Sequence, residues 1–246
     1  MPPQPPILGA SPRWAWLPSE CHVCGVWPAQ PLGEAVCGAC LDAFVPTTPR
    51  CPTCALVQNP SGLCGECINR PPGLTQCVAA VDYAYPWDGS IARFKFQGVT
   101  AWAHLFARLM AGAPGAQALL NRCHRFVPMP LTPRRLGERG YNQAGLLAKA
   151  LSRQAREHRH KPWFDALLKL QDTAAQHGLD RAARMVNLRT AFAVSPHAVA
   201  DLSGQRVLLV DDIMTTGATL QAAAQALTMA GAAEVNALVF ARTPRA

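Results

Sequence analysis

Residues 207–220 read VLLVDDIMTTGATL, and this stretch decides the fold. Four apolar residues run directly into Asp211 and Asp212, then into a Thr-Thr-Gly turn and an alanine-rich segment. A short β-branched and leucine run bounded by turn residues reads as a buried strand, and residues 218–230 read as a helix stopped by Gly231. The unit is strand, acidic edge, loop and helix, the arrangement in which open α/β sheets bind ligands at their strand ends.

The chemistry such a unit suits is sugar-phosphate binding. Small residues opening a helix offer backbone N–H groups to an anion, with the helix dipole behind them and Gly217 permitting close approach of the backbone. Thr215, Thr216 and Thr219 add hydroxyl donors on either side of Gly217 and Ala218. Ionised Asp211 and Asp212 cannot ligate phosphate, but they accept hydrogen bonds from vicinal hydroxyls. A ribose 5-phosphate satisfies both ends at once. The stretch is neither a Gly-Lys-Ser/Thr phosphate loop nor a G-x-G-x-x-G dinucleotide turn. It resembles the signature of type I phosphoribosyltransferases. That resemblance implies that the two acids hold the ribose hydroxyls of phosphoribosyl pyrophosphate (PRPP) as catalytic-site residues and that the loop holds its 5-phosphate.

The 246 residues allow one mid-sized domain and a small one. Half are hydrophobic and 15% charged, which favours a sizeable core and excludes wholesale disorder. No apolar run is long enough to span a bilayer, and the proline-rich start lacks the basic region of a secretion signal. Residues 1–19 are expected to be a flexible extension, and the protein to be cytoplasmic.

Four C-x-x-C pairs follow: Cys21/Cys24, Cys37/Cys40, Cys51/Cys54 and Cys64/Cys67. Each pair can clamp one edge of a tetrahedral Zn²⁺, and a segment this small needs the metal's binding free energy to fold. Sequential wiring, with one ion per half, is favoured over an interleaved one because each half contains its own two turns. A double zinc-ribbon module over residues 20–70 is expected, followed by a hinge at 69–73 and a larger domain over 74–246. Cys77 and Cys123 have no partner spacing and read as buried apolar residues. If eight thiolates bind two Zn²⁺, the formal charge of +8 falls to about +4. A mildly basic protein suits phosphorylated ligands.

In the larger domain, residues 78–85 and 126–129 read as strands and 90–98, 101–113 and 143–156 as helices. Trp102, Leu105, Phe106, Leu109 and Met110 fall at core spacing, and His104 reads as a surface or packing residue rather than a catalyst. The segment PLTPRRLGERGYNQA (130–144) puts Arg134, Arg135 and Arg139 on what reads as a loop after a strand, where guanidinium forks can hold phosphate oxygens. The same spacing would suit a solvated basic turn. Residues 166–170 read as a strand and 173–192 as a polar excursion carrying Arg181, Arg184 and Arg189.

Taken together, FKFQG (94–98), PRRLGERGYNQA (133–144), T-x-x-Q-x-x-L followed by R-x-x-N-x-x-x-AF, and VDDIMTTGAT (210–219), preceded by C-x-x-C pairs, resemble the competence protein F (ComF) family, including its GntX-type members. The resemblance covers nearly everything from Cys21 onward. Its family positions in the polar excursion are Thr173, Gln176, Leu179, Arg184, Asn187, Ala191 and Phe192. It implies a zinc ribbon followed by a phosphoribosyltransferase-like domain, with members implicated in DNA uptake during natural transformation.

The expected fold is therefore α/β, a mainly parallel open sheet flanked by helices with a small amino-terminal zinc-ribbon module. As a glycosyltransferase, the protein would bind PRPP with Mg²⁺, and an unidentified acceptor would displace pyrophosphate. Arg135 and Arg139 are the pyrophosphate candidates, with Arg184 reaching in from a mobile lid. The alternative is a non-catalytic adaptor that senses a nucleotide or holds single-stranded DNA and binds DNA-uptake proteins. A base-stacking surface would favour it, yet aromatics are sparse near the basic loops.

Overall fold

The apolar runs assemble into a parallel sheet with helices on both faces. A computed structural model describes residues 18–31, 34–58, 62–155, 161–170 and 191–245. These pass in order through α1 (Gly38–Phe44), α2 (Gly65–Asn69), β1 (Gln76–Asp82), α3 (Trp87–Phe96), α4 (Trp102–Gly112), α5 (Ala116–Arg122) and β2 (Arg125–Pro128). There follow α6 (Pro133–Arg139), α7 (Gln143–Ser152), β3 (Leu167–Lys169), β4 (Phe192–Val194), α8 (Pro196–Leu202), β5 (Arg206–Met214), α9 (Ala218–Met229) and β6 (Glu234–Arg242). Of the extension expected over residues 1–19, residues 1–17 lie outside the described ones, as do residues 156–160 and most of the polar excursion.

The main sheet has the order β1-β6-β5-β2, and every pair in it is parallel. Strands buried on both faces need apolar residues at successive positions, supplied here by residues 207–210 of β5 and 237–241 of β6. Val78, Ala80, Leu208, Val210, Leu238 and Phe240 face one layer, formed by α3, α4, α5 and α7. Cys77, Ala79, Val207, Leu209, Ala237 and Val239 face the other, formed by α8, α9 and the β3–β4 hairpin. In the first layer Trp102 stacks on Phe106, and Phe106 on Phe240, with centroids 5.4 and 3.9 Å apart. Truncating one such ring to Ala costs roughly 3–5 kcal/mol. Cys77 and Cys123 are buried as expected, Leu109 is only partly so, and His104 is exposed.

Several boundaries differ from the expectation. β1 starts at Gln76 and stops at Asp82, three residues before Tyr85. The strand read over 166–170 is only Leu167–Lys169, and it pairs antiparallel with β4 outside the main sheet. The basic segment read as a loop contains α6: Thr132 caps it by accepting from Arg135 N at 3.4 Å, Pro133 opens it, and Gly140 at φ +76° ends it. Thr-Pro at the start and Gly just past the end are a helix signature. The density of charge and glycine obscured it.

Both cysteine groups form in sequence order. Cys21, Cys24, Cys37 and Cys40 converge, as do Cys51, Cys54, Cys64 and Cys67, with the ligand atoms of each group within 4.8 Å of one another. The first group belongs to the core cluster of the α3–α4 layer and the second to that of the α9 layer. Among the described residues no helix is long and apolar enough to cross a membrane.

Candidate phosphate and ribose site

The register of the sheet creates the site. β2 pairs with β5 only as far as Pro128 opposite Val210, after which Met129 N donates to Val210 O at 2.9 Å and the chain departs toward α6. β5 continues four residues further beside β6, to Met214 opposite Arg242. Asp211 and Asp212 therefore project beyond the end of β2, into a cleft of about 300 Å³. Its walls include Lys95, Arg135, Arg139, Asn142, Gln143, Lys169, Thr215, Gly217 and Thr219.

Gly217 precedes α9 with φ +83°, and a Cβ there would run into Met214 Cε. Positive φ disfavours any side chain at this position. Thr215 and Thr216 are exposed and Ala218 and Thr219 half-buried, so the start of α9 is open to solvent where its unpaired N–H groups lie. Ala218 N donates to Thr216 Oγ1 at 3.3 Å.

The two acids differ in environment. Asp212 is 5% exposed and its Oδ2 lies 3.0 Å from Lys95 Nζ. Asp211 is half-buried, and its Oδ1 accepts from Asp212 N at 2.9 Å. Burial, and then the charge of Asp212, raise the Asp211 carboxyl to about 7, against the opposing pull of Lys95. Asp211 is thus poised to change charge near neutrality, whereas Asp212 has a fixed cation beside it.

The arginines separate by helical phase. Arg135 and Arg139, one turn apart on α6, line the cleft. Arg134 turns outward and pairs with Glu138 at 3.1 Å, so it does not contribute to the cleft. Arg184 and the family positions Thr173, Gln176, Leu179 and Asn187 lie outside the described residues. Ala191 and Phe192 are buried at the start of β4.

The reading of the sequence missed Lys95 as a site residue. The signal for it is local: Lys95 is a cation in the last turn of a helix whose neighbouring Phe94 is buried. α3 is held at the site by Tyr141, whose hydroxyl donates to Phe94 O, and by Gln143 Nε2, which donates to Lys95 O at 3.4 Å. Asn142 caps α7 through Gly145 N and donates to Met129 O at 3.0 Å, fixing the turn between the cleft arginines and α7. One exposed aromatic ring stands beside the basic segment. Phe96 is 72% exposed, and the Arg139 guanidinium lies 5.1 Å over its ring.

The cysteine tetrads have the donor chemistry and dimensions of zinc sites. A tetrahedron with Zn–S bonds of about 2.3 Å has S···S edges of about 3.8 Å, and Cys24–Cys37 and Cys54–Cys64 are 3.7 and 3.6 Å apart. Cys37 N and Cys64 N point at Cys21 Sγ and Cys51 Sγ. At Cys21 burial opposes ionisation, but the N–H groups of Cys37, Cys24 and Val23 outweigh it and hold the thiol at about 6. At Cys51 burial is likewise outweighed, by the Thr53 hydroxyl and neighbouring N–H groups, again giving about 6.

Comparison with known proteins gives a consistent picture. Residues 146–246 match the phosphoribosyl transferase domain family. Over 241 residues the chain is 33% identical to DNA utilization protein YhgH of Escherichia coli strain K12, covering 92% of this chain and 98% of that protein. It is 30% identical over 222 residues to competence protein F of Haemophilus influenzae, covering 85% and 91%. It is 28% identical over 218 residues to competence protein ComFC of Bacillus subtilis, covering 85% of each.

Proposed function

Because the chain belongs to the competence protein F family, we propose that its cleft binds PRPP or a related ribose phosphate and that the protein acts in handling DNA taken up by the cell. The carrying observation is that one cleft gathers paired acids, a positive-φ glycine at a helix start and two arginines. The start of α9 takes the 5-phosphate, Asp211 and Asp212 accept from the ribose hydroxyls, and Arg135 and Arg139 hold the pyrophosphate. Arg184 is a further pyrophosphate candidate. The names of the relatives, DNA utilization and competence, support the biological setting. Cytoplasmic location and contact with single-stranded DNA or DNA-uptake proteins follow from that setting.

In the transferase reading an acceptor nucleophile forms a bond to the anomeric carbon as the bond to pyrophosphate breaks. Both electrons of the broken bond leave with pyrophosphate, where the arginine forks accommodate the charge. Hard carboxylate oxygens at Asp211 and Asp212 suit Mg²⁺, which would supply further neutralisation of the leaving group. Each cysteine tetrad holds one structural Zn²⁺.

One observation favours a second reading, a non-catalytic nucleotide-sensing or single-strand-binding adaptor. Phe96 and Arg139 form a stacking surface at the edge of the cleft, and base–aromatic stacking needs no reaction.

Calorimetric titration of PRPP and ribose 5-phosphate, with and without Mg²⁺, tests both. Gly217→Val is expected to abolish binding of either ligand, while Arg135→Ala with Arg139→Ala weakens PRPP far more than ribose 5-phosphate. Unchanged binding by folded Gly217→Val protein removes the phosphate loop. Equal loss of the two ligands in the arginine variant removes the pyrophosphate role. Single-stranded DNA binding that survives Gly217→Val and declines with salt supports the adaptor reading.

A further inference from the structure

The carbonyl groups behind the loop converge on one buried guanidinium. Arg242 ends β6 opposite Met214 and is 5% exposed. Its Nη1 donates to Met214 O at 3.2 Å, to Thr215 O and to Thr243 O at 2.8 Å, and its Nε donates to Cys54 O at 2.8 Å. In a trans peptide the C=O and the following N–H point in opposite directions. Drawing the carbonyls of Met214 and Thr215 onto Arg242 therefore turns the N–H groups of Thr215 and Thr216 away from it, where Thr215 and Gly217 line the cleft.

The same side chain reaches the second cysteine turn. That turn is fixed to the sheet by a bond from Cys77 N to Pro52 O at 2.7 Å. In the same cluster, Cys77 Sγ meets Met214 Sδ at 3.6 Å. Four thiolates around Zn²⁺ carry a net charge of −2, and a phosphate monoester carries about −1.5 to −2 at neutral pH. Metal in the tetrad fixes the Cys54 carbonyl, a fixed Cys54 carbonyl holds the Arg242 guanidinium against Met214 O and Thr215 O, and the buried cation between the two anionic centres offsets their repulsion. The four acceptors are main-chain carbonyls, so the guanidinium charge is not cancelled by them. The first tetrad is tied elsewhere, to α4 through Glu34 and Arg108.

We propose that Arg242 is a positioning residue that couples metal occupancy of the Cys51, Cys54, Cys64 and Cys67 tetrad to ribose-phosphate affinity at the loop of residues 215–219. This rests on the ribose-phosphate reading of the loop. Lysine cannot replace Arg242, because a single ammonium lacks the planar fork that reaches carbonyls on two elements at once. Linkage makes the coupling reciprocal, so the sugar phosphate stabilises the metal by the factor by which the metal strengthens the sugar phosphate.

Full-length protein carrying two zinc ions is titrated with a chromophoric chelator, with and without saturating ribose 5-phosphate. The ligand is expected to raise the chelator concentration needed to extract one ion by about five- to hundredfold, leaving the other unchanged. Arg242→Lys is expected to retain two zinc ions, lose this protection and bind ribose 5-phosphate more weakly by a similar factor. Wild-type protein that binds ribose 5-phosphate but shows no protection overturns the coupling and leaves the ribose reading standing. Wild-type affinity in folded Arg242→Lys overturns the positioning role. Protein that binds no ribose phosphate overturns both readings. Should Arg242→Lys fail to fold, the wild-type chelator titration decides alone.

Discussion

The tetrad of Cys21, Cys24, Cys37 and Cys40 lies against the α3–α4 layer, where Glu34 pairs with Arg108 and the His22 ring meets Trp102 at 5.1 Å. The tetrad of Cys51, Cys54, Cys64 and Cys67 lies against the opposite layer, in one cluster with Met214 and Leu220, and Arg242 joins its turn to the loop of the cleft. The same C-x-x-C pairing thus serves two purposes. One clamp staples the chain onto α4, and the other stands directly behind the loop of residues 215–219 that lines the cleft.

The largest expected effect comes from removing each clamp separately. Apparent zinc binding in such sites supplies about 10–16 kcal/mol, so Cys21→Ser with Cys24→Ser, and Cys51→Ser with Cys54→Ser, should each lose one zinc by metal analysis and lower Tm. Only the second pair should also abolish ribose 5-phosphate binding. Equal loss of binding in both variants would erase the distinction between the tetrads.

Next in size is the cleft itself. Asp211→Asn with Asp212→Asn keeps shape and removes charge. At roughly 1.5–3 kcal/mol per hydrogen bond to a charged group, affinity should fall at least about tenfold while the protein stays folded with both zinc ions bound. PRPP affinity unaltered by calorimetry would sink the ribose assignment. A smaller effect is expected at the first clamp. Arg108→Ala should cost about 1–3 kcal/mol in urea unfolding and leave ligand affinity untouched, because Glu34 bonds to α4 whereas Arg242 bonds to the loop.

The smallest effect is a pH dependence carried by Asp211. Its folded value of about 7 lies above the unfolded value of about 3.9. The stability it contributes is fully present below pH 4 and is lost as pH rises through 7. The Tm of Asp211→Asn should therefore gain on that of the wild type between pH 5 and 8. Ligand affinity should move the other way, rising through pH 7 as the carboxylate ionises. A constant difference in Tm across this range would show that Asp211 does not titrate there.

What was legible in the sequence was local. The run from Val207 to Leu220 encodes strand, acids, glycine turn and helix within a span short enough for periodicity and turn chemistry to act, and β5 and α9 formed as read. The C-x-x-C spacing fixed each cysteine pair for the same reason. The helix α6 was also written locally, in Thr132, Pro133 and Gly140, beneath a charge pattern that drew attention to its arginines instead.

Only the tertiary structure decided which distant residues complete the site. Lys95 and Asp212 are far apart in the chain, and Arg242 and Cys54 further still; each pair meets because parallel strands bring remote segments to one end of the sheet. No propensity or spacing encodes such a meeting, since strand order and register follow from the packing of two whole faces rather than from any single segment. For that reason the sequence by itself determined the loop, the acids and the ligand pairs of the clamps. The fold alone decided that Lys95 faces Asp212, that Arg134 faces away, and that the second clamp stands behind the loop.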